Sequence, residues 1–320
     1  MPSISVVISY ATKKEDFQHV LNGYQQQDFK DFELVIVANS DNDENLSELF
    51  SLYPDLNIQY IKFERPGPNW YLYAKLNRGI AASKSDFIVT AGDDIVPHTQ
   101  YLANYFSQKD ENIVLCSTKF DVWRHNEKEV PEELVDILIK SDFWMYNAFS
   151  NNGPMNFVLL TDEVEIKPMG TTWPGDLYPH PNVGMVCPVP FLMWKNKPWP
   201  IVWLNNYDNM NLINTERLNS SPSQMGVIQC NMAYHKKHVL EMNGYDEEYE
   251  GPEWTDADII YRFERKGLKF RFIPGCAIWH IAHPARWDWQ VEERTDLDNM
   301  FPNKREHFEL IRNKGKNIFD

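Results

Sequence analysis

Two adjacent carboxylates, Asp93 and Asp94, follow the apolar run Phe87-Ile88-Val89 and precede Pro97 in the stretch TAGDDIVPH. Neighbouring acids repel each other, and the end of a buried strand disfavours their ionised forms. A divalent cation would offset that repulsion, because hard cations prefer carboxylate oxygens. A turn before Pro97, capping the helix that follows, is the competing explanation. Two more residues of chemical interest lie far along the chain. Asp256, in WTDADII, opens a helical pattern, where the helix dipole favours an ionised, proton-accepting carboxylate. As a favoured cap residue it could equally serve only to start that helix. His280, in AIWHIAH, sits in an apolar strand, where an imidazole is either packed and hydrogen-bonded or a metal ligand. His283 is three residues further on, so strand alternation puts it on the opposite face, and register favours His280.

The elements that must position these residues are readable from periodicity. ISVVIS, FELVIVA, NIQYIKF, SDFIVTA and NIVLCST read as five strands in the first 118 residues. Helical patterns lie between them; Phe17, Val20, Leu21 and Tyr24 follow the i, i+3, i+4, i+7 spacing of an amphipathic helix. Such alternation predicts an α/β fold with a mostly parallel sheet and helices on both faces. Ligands of such sheets bind beyond the carboxyl ends of the strands. Those ends are Ser9-Tyr10, Asn39-Ser40-Asp41, Glu64-Arg65 and Gly92-Asp93-Asp94. No G-x-G-x-x-G follows the first strand and no Walker sequence occurs, which removes the usual dinucleotide and P-loop readings.

From about Phe120 to Gln224 periodicity is weak and Pro, Asn and Trp accumulate, which predicts long ordered loops. Pattern returns with VIQCNMAYH as a strand and KKHVLEMN as a short helix ended by Gly244. TDADIIYRFERKG is a helix stopped by Gly267, and LKFRFIP and CAIWHIAH are strands. The tail after Ala285 is polar, with a helical pattern near KREHFELIRNK.

A chain of 320 residues, 43% hydrophobic and 24% charged, can bury a full core without staples. Its net charge of -15 argues against nonspecific binding to nucleic acid or to an anionic membrane surface. It does not exclude a small anionic ligand, since a bound metal reverses the local field. Four separated cysteines without a CxxC pair point to reduced thiols and a cytoplasmic location. The start, MPSISVVISY, lacks the basic region of a signal peptide, and no run approaches the ~20 apolar residues of a membrane span. Eleven tryptophans either fill the core or line a cleft for sugar rings.

Four segments, in order, resemble the GT-A glycosyltransferases, above all glycosyltransferase family 2. ISVVISY is similar to the family's opening strand, and AKLNRGIAASKSDFIVTAGDD to its helix, strand and D-x-D segment. GYDEEYEGPEWTDADIIYRFERKG is similar to the block that contains the family's E-D-x-D. FIPGCAIWHIAHP resembles the strand that carries a metal-binding histidine in related chondroitin and galactosyl transferases. The resemblance covers roughly residues 3 to 118 and 226 to 284. It implies a GT-A fold with residues 1–118 as the nucleotide-sugar-binding half and 226–284 as the catalytic and acceptor-side half. Residues 119–225 would form an acceptor or lid insertion, and 285–320 a helical tail.

The implied reaction is sugar transfer from a nucleotide-diphosphate sugar, a UDP-sugar by the family's habit, to a hydroxyl of a glycan or other acceptor. The expected cofactor is Mn2+ or Mg2+. Asp94 would bind the metal and Asp93 face the ribose or sugar, with His280 as second metal ligand. Asp256 would be the general base of an inverting transfer; a retaining transferase or a noncatalytic carbohydrate-binding relative are the alternatives. Ser9, Tyr10, Asn39 and Asp41 would contact the nucleotide, Tyr10 by stacking on the base. Lys75 and Arg78 would offer cations to the diphosphate. Trp254 is expected to stack on a sugar and Glu253 to stand in for an acid missing at Thr255. Asp258 is expected to pair with Arg262, four residues on. Three positions depart from the family: Gly92 replaces the first acid of D-x-D, Thr255 replaces the glutamate of E-D, and Pro252-Glu253-Trp254 replace a frequent glycine run.

Overall fold

Runs of branched apolar residues with no polar alternation belong in strands covered on both faces. The first strand, ISVVISY, is buried along its whole length. The computed structural model describes residues 1–11, 14–40, 43–64, 71–117, 119–123, 132–140, 143–144, 158–159, 164–167, 191–195, 197–203, 230–247, 255–273 and 278–282. In chain order the first elements are β1 (Ile4–Tyr10), α1 (Lys14–Gln25), β2 (Phe32–Asn39), α2 (Asp43–Ser51), β3 (Ile58–Phe63), α3 (Leu72–Ala82) and β4 (Phe87–Gly92). There follow β5 (Ile95–Pro97), α4 (Tyr101–Ser107), β6 (Ile113–Cys116), β7 (Lys119–Trp123) and α5 (Glu132–Lys140). The middle holds β8 (Phe143–Trp144), β9 (Val158–Leu159), β10 (Val164–Lys167), β11 (Phe191–Trp194) and β12 (Lys197–Trp203). The last are β13 (Asn231–His235), α6 (Lys236–Glu241), α7 (Thr255–Arg265), β14 (Lys269–Phe272) and β15 (Ile278–Ala282).

Among the described residues the main sheet has seven strands in the order β14-β6-β13-β4-β1-β2-β3. β1 pairs in parallel with β2 and β4, β2 with β3, and β6 with β14. β13 runs antiparallel between β4 and β6. One apolar cluster, with Phe17, Leu21 and Leu46, fills the face under α1 and α2; the other, with Tyr73, Leu76 and Phe263, fills the face under α3 and α7. α3 lies so close on β1 and β2 that a Cβ at Gly79 would collide with the Val7 and Val37 side chains. Gly244 after α6 and Gly267 after α7 adopt left-handed φ values of 76° and 84°. Both glycines sit where the chain must turn away from a helix end.

The strands and helices expected in 4–117 and 231–282 are present. Two differences matter for the site. Residues 119–203 are not only loops: β7, β10, β11 and β12 join β15 and β5 in a six-stranded sheet of order β10-β11-β12-β7-β15-β5. β5, β7 and β15, which tie this sheet to the site, are short and pair across long separations in the chain, so local periodicity does not reveal the sheet. Ile95–Pro97 also forms a strand, pairing antiparallel with β15 so that His280 stands opposite Ile95. Among the described residues no helix is long and apolar enough to cross a membrane.

Candidate active site at the carboxyl ends of β1 and β4

The chain between β4 and β5 is a two-residue turn made by Asp93 and Asp94. It caps no helix: α4 starts after Gln100, whose side chain makes no cap bond. Asp93 is 7% exposed, and its Oδ2 accepts the backbone N–H of Ala11 at 2.5 Å. The aspartate thereby ties the turn to the end of β1. Asp94 points elsewhere. Its Oδ2 lies 2.9 Å from His280 Nε2, and its carbonyl accepts the Ile281 N–H at 2.9 Å. The antiparallel β5–β15 ladder thus joins residues 186 apart in the chain. Trp279, next to the histidine, is 2% exposed and donates Nε1–H to the Leu138 carbonyl at 3.1 Å. Alternation then turns the His280 ring away from that core and toward Asp94.

Gly92 acquires a steric reason. A Cβ there would stand 2.7 Å from Ile95 Cγ1 and 2.8 Å from Asp94 Oδ1. Any side chain, including the acid of the family pattern, would displace the Asp94 carboxylate. A cavity of about 190 Å³ opens beside the turn. Its walls are Ser9 of β1 and Ala11 just beyond it, Leu72 and Leu76 of α3, the run from Thr90 to Ile95, Cys230 and His280.

The donor set fits a divalent ion. Two ligands at about 2.1 Å and a right angle from one octahedral ion stand about 3.0 Å apart. The Asp94–His280 separation of 2.9 Å matches that edge. Among the described residues no group of three or more His, Cys, Asp or Glu side chains is placed to hold a metal. Oxygen atoms of a bound diphosphate or water would fill the remaining positions.

The other expected contacts divide. Ser9 and Asn39 are each 7% exposed, at the ends of β1 and β2. Val7 and Val35 belong to the core under α3, and alternation carries Ser9 and Asn39 to that same side. Ser9 Oγ and Asn39 Oδ1 are buried without a hydrogen-bond partner among the described residues. Buried polar atoms normally have partners, so an orphaned pair at strand ends is suited to a polar ligand.

Three expectations need correction. The Tyr10 ring does not stand open for a base. It is 4% exposed and packs on Phe17 at 4.9 Å, because its position in β1 faces α1. Burial first, then the carboxylates of Asp93, Glu15 and Asp16, push its phenol up to about 12. Lys75 is 1% exposed, and its ammonium donates to the Tyr10 carbonyl at 3.0 Å instead of lining the cavity. It braces the end of β1 from below. Arg78, a turn further along α3, is exposed and also stands outside the cavity wall. Asp256 lies in the first turn of α7; its side chain is outside the described residues, as are Asp41, Glu253 and Trp254. Asp258 pairs with Arg262 as expected, at 2.7 Å, with its carboxylate fully buried.

Sequence reasoning missed Asn231 and its neighbour Cys230. Asn231 Oδ1 accepts the hydroxyls of Tyr101, Tyr105 and Ser117, each at 3.0 Å, and Nδ2 donates to the Ser117 carbonyl at 3.0 Å. This node fixes the start of β13 opposite Ala91 and so sets Cys230 in the cavity wall. Its partners lie 114 to 130 residues away, and no local pattern marks it.

Comparison with known proteins agrees with this fold. Residues 5–159 match the family model described as glycosyl transferase family 2. The chain is 23% identical over 266 residues to the chondroitin synthase of Escherichia coli, covering 82% of this chain and 32% of that protein. It is 24% identical over 270 residues to the chondroitin synthase of Pasteurella multocida, covering 82% and 22%. The chain therefore spans a third or less of the length of these two relatives. Against the glycosyltransferase YfnE of Bacillus subtilis it is 20% identical over 300 residues, covering 89% and 66%. In fold it is similar to GalNAc-T7, crystallised with UDP, GalNAc and Mn2+, with a TM-score of 0.51 at 12% identity over 89% of this chain and 45% of that one. TarS of S. aureus gives 0.50 at 14% identity, over 98% and 45%. The family match covers β1 to β4 and the Asp93–Asp94 turn at their carboxyl ends, and the chain is accordingly similar to the family 2 glycosyltransferases, with a GT-A fold.

Proposed function

We propose that the protein transfers a sugar, with inversion, from a UDP-sugar to a hydroxyl of a glycan acceptor, using Mn2+ or Mg2+ held by Asp94 and His280. One observation carries this reading: a carboxylate and an imidazole 186 residues apart meet at 2.9 Å beside a cavity at the strand ends. When bound, the ion neutralises charge on the departing diphosphate. Asp94 and His280 hold each other in orientation, and Gly92 keeps the Asp94 carboxylate where it is. Asp93, tied to the Ala11 N–H, faces the ribose or sugar. The orphaned Ser9 Oγ and Asn39 Oδ1 support a nucleotide beside them, since a base edge and a ribose supply the missing partners.

Asp256 takes the proton of the attacking acceptor hydroxyl. Its place in the first turn of α7 supports this, because the dipole there keeps a carboxylate ionised. Glu253 and Trp254 belong to the acceptor side, together with residues 119–225. The names of the chondroitin synthases favour a growing glycan as the acceptor.

Calorimetry with UDP, with and without Mn2+, tests the reading. Binding is expected only with the metal, and is lost in Asp94→Ala and kept in Asp256→Asn, which loses turnover. Metal-independent binding, or full affinity in Asp94→Ala, would refute the assignment. Product NMR showing retained anomeric configuration would remove Asp256 as the base.

A further inference from the structure

Asn77 lies on α3, next to Leu76 of the cavity wall, and is 1% exposed. Its amide is directed at one short segment. Nδ2 donates to the Tyr245 carbonyl and to Glu247 Oε1, both at 2.9 Å, while Oδ1 accepts the Tyr245 N–H at 2.8 Å. Both donors of the amide are thereby satisfied. Gly244, the adjacent residue, is held from the opposite direction: its carbonyl accepts Arg262 Nη1 of α7 at 2.7 Å. Arg262 is fixed in turn by two bonds to Asp258 Oδ2, at 3.0 and 2.7 Å. The Tyr245 ring packs on Tyr73 of α3 at 5.0 Å, and its hydroxyl meets that of Tyr234 at 2.9 Å. Two consecutive residues, Gly244 and Tyr245, therefore join α3 to α7.

α3 lines the donor cavity and α7 carries Asp256. Building on the function proposed above, we infer that Asn77 is a positioning residue that sets the spacing between the donor cavity and the general base. Asn77 touches no substrate; it acts through the Gly244–Tyr245 bridge. Only an amide suits the place. A carboxylate there would face the Tyr245 carbonyl and the Glu247 carboxylate without a donor, and an apolar side chain would leave two buried backbone groups unpaired. A misplacement of about 1 Å in a reacting group lowers turnover by as much as ~100-fold, so the bridge need shift only slightly to matter.

The test combines Asn77→Asp, Glu247→Ala and the double variant Asn77→Asp/Glu247→Gln, in which the amide introduced at position 247 can donate back to the carboxylate introduced at position 77. Hydrogen exchange is followed at the Tyr245 amide and in the first turn of α7. UDP binding with Mn2+ and hydrolysis of UDP-glucose, UDP-galactose, UDP-GlcNAc and UDP-GalNAc are measured alongside. Asn77→Asp should speed exchange at both places and lower kcat by more than about tenfold. Donor KM and UDP affinity should stay within about threefold, and Asn77→Asp should add nothing to Asp256→Asn. Glu247→Ala, which removes the acceptor of one Asn77 bond at an exposed residue, should give a smaller effect of the same kind, and the double variant should recover part of kcat. Unchanged exchange in α7, losses that add fully to those of Asp256→Asn, or parallel losses of UDP affinity and kcat would overturn the inference. A wild type that binds no UDP and hydrolyses none of the four donors refutes the donor reading alone, and the exchange data still decide the bridge.

Discussion

Gly92 offers the sharpest test of how the site is built, because packing and family pattern predict opposite results. Where the family has an acid, this chain has no side chain. Adding one Cβ creates contacts of 2.7 Å with Ile95 Cγ1 and 2.8 Å with Asp94 Oδ1. Ile95 is 1% exposed and belongs to the core, so it yields little. The Asp94 carboxylate ends a side chain at the cavity and yields first, turning away from His280. Overpacking of this size costs about 1–3 kcal/mol. If it falls on the site, Mn2+-dependent UDP binding weakens by roughly 5- to 150-fold in Gly92→Ala. Gly92→Asp, which restores the family's acid, should bind UDP more weakly still, not more tightly. Calorimetry with Mn2+ and UDP, with thermal melting in parallel, separates a lost site from a lost fold. Tighter binding in Gly92→Asp, or unchanged affinity and melting in Gly92→Ala, would show that the glycine does not hold Asp94 in place.

Three further outcomes follow from the packing. Tyr10 holds its phenolic proton up to about 12, above the ordinary value of 10.0, so its contribution to stability is complete below pH 10 and lost as pH rises from 10 to 12. Denaturant unfolding should show a smaller loss over that interval in Tyr10→Phe than in wild type. Arg262→Ala leaves the buried Asp258 carboxylate unpaired and should cost about 3–5 kcal/mol at neutral pH. Burial raises the Asp258 pKa and Arg262 opposes the rise, so without the guanidinium the carboxyl takes up a proton more readily. The deficit of Arg262→Ala should therefore shrink as pH falls toward 4, and a constant deficit in urea titrations at pH 5 and 7.5 would contradict this. Gly267→Ala meets no atom within 4 Å but keeps a φ of +84°, so melting should report a conformational cost of about 1–2 kcal/mol and no change in UDP affinity.

Much of the fold was legible because its signals are local. Periods of 2 and 3.6 residues marked the strands and helices of 4–117 and 231–282, and alternation set His280 and His283 on opposite faces of their strand. Parallel strand order then pointed to the carboxyl ends, where Asp94 and His280 meet. The second sheet was not legible, since β5, β7 and β15 are short and pair across long separations. Burial at the strand ends was equally hidden. Whether Tyr10 faces a base or Phe17, and whether Lys75 reaches a diphosphate or the Tyr10 carbonyl, depends on where α1 and α3 rest on the sheet. Gly92 shows the division most clearly. The order of residues along the chain is enough to establish that a glycine stands where related chains carry an acid. The reason for it exists only in the folded packing: β15 brings His280 against Asp94, Ile95 closes the other side, and no volume remains for a Cβ.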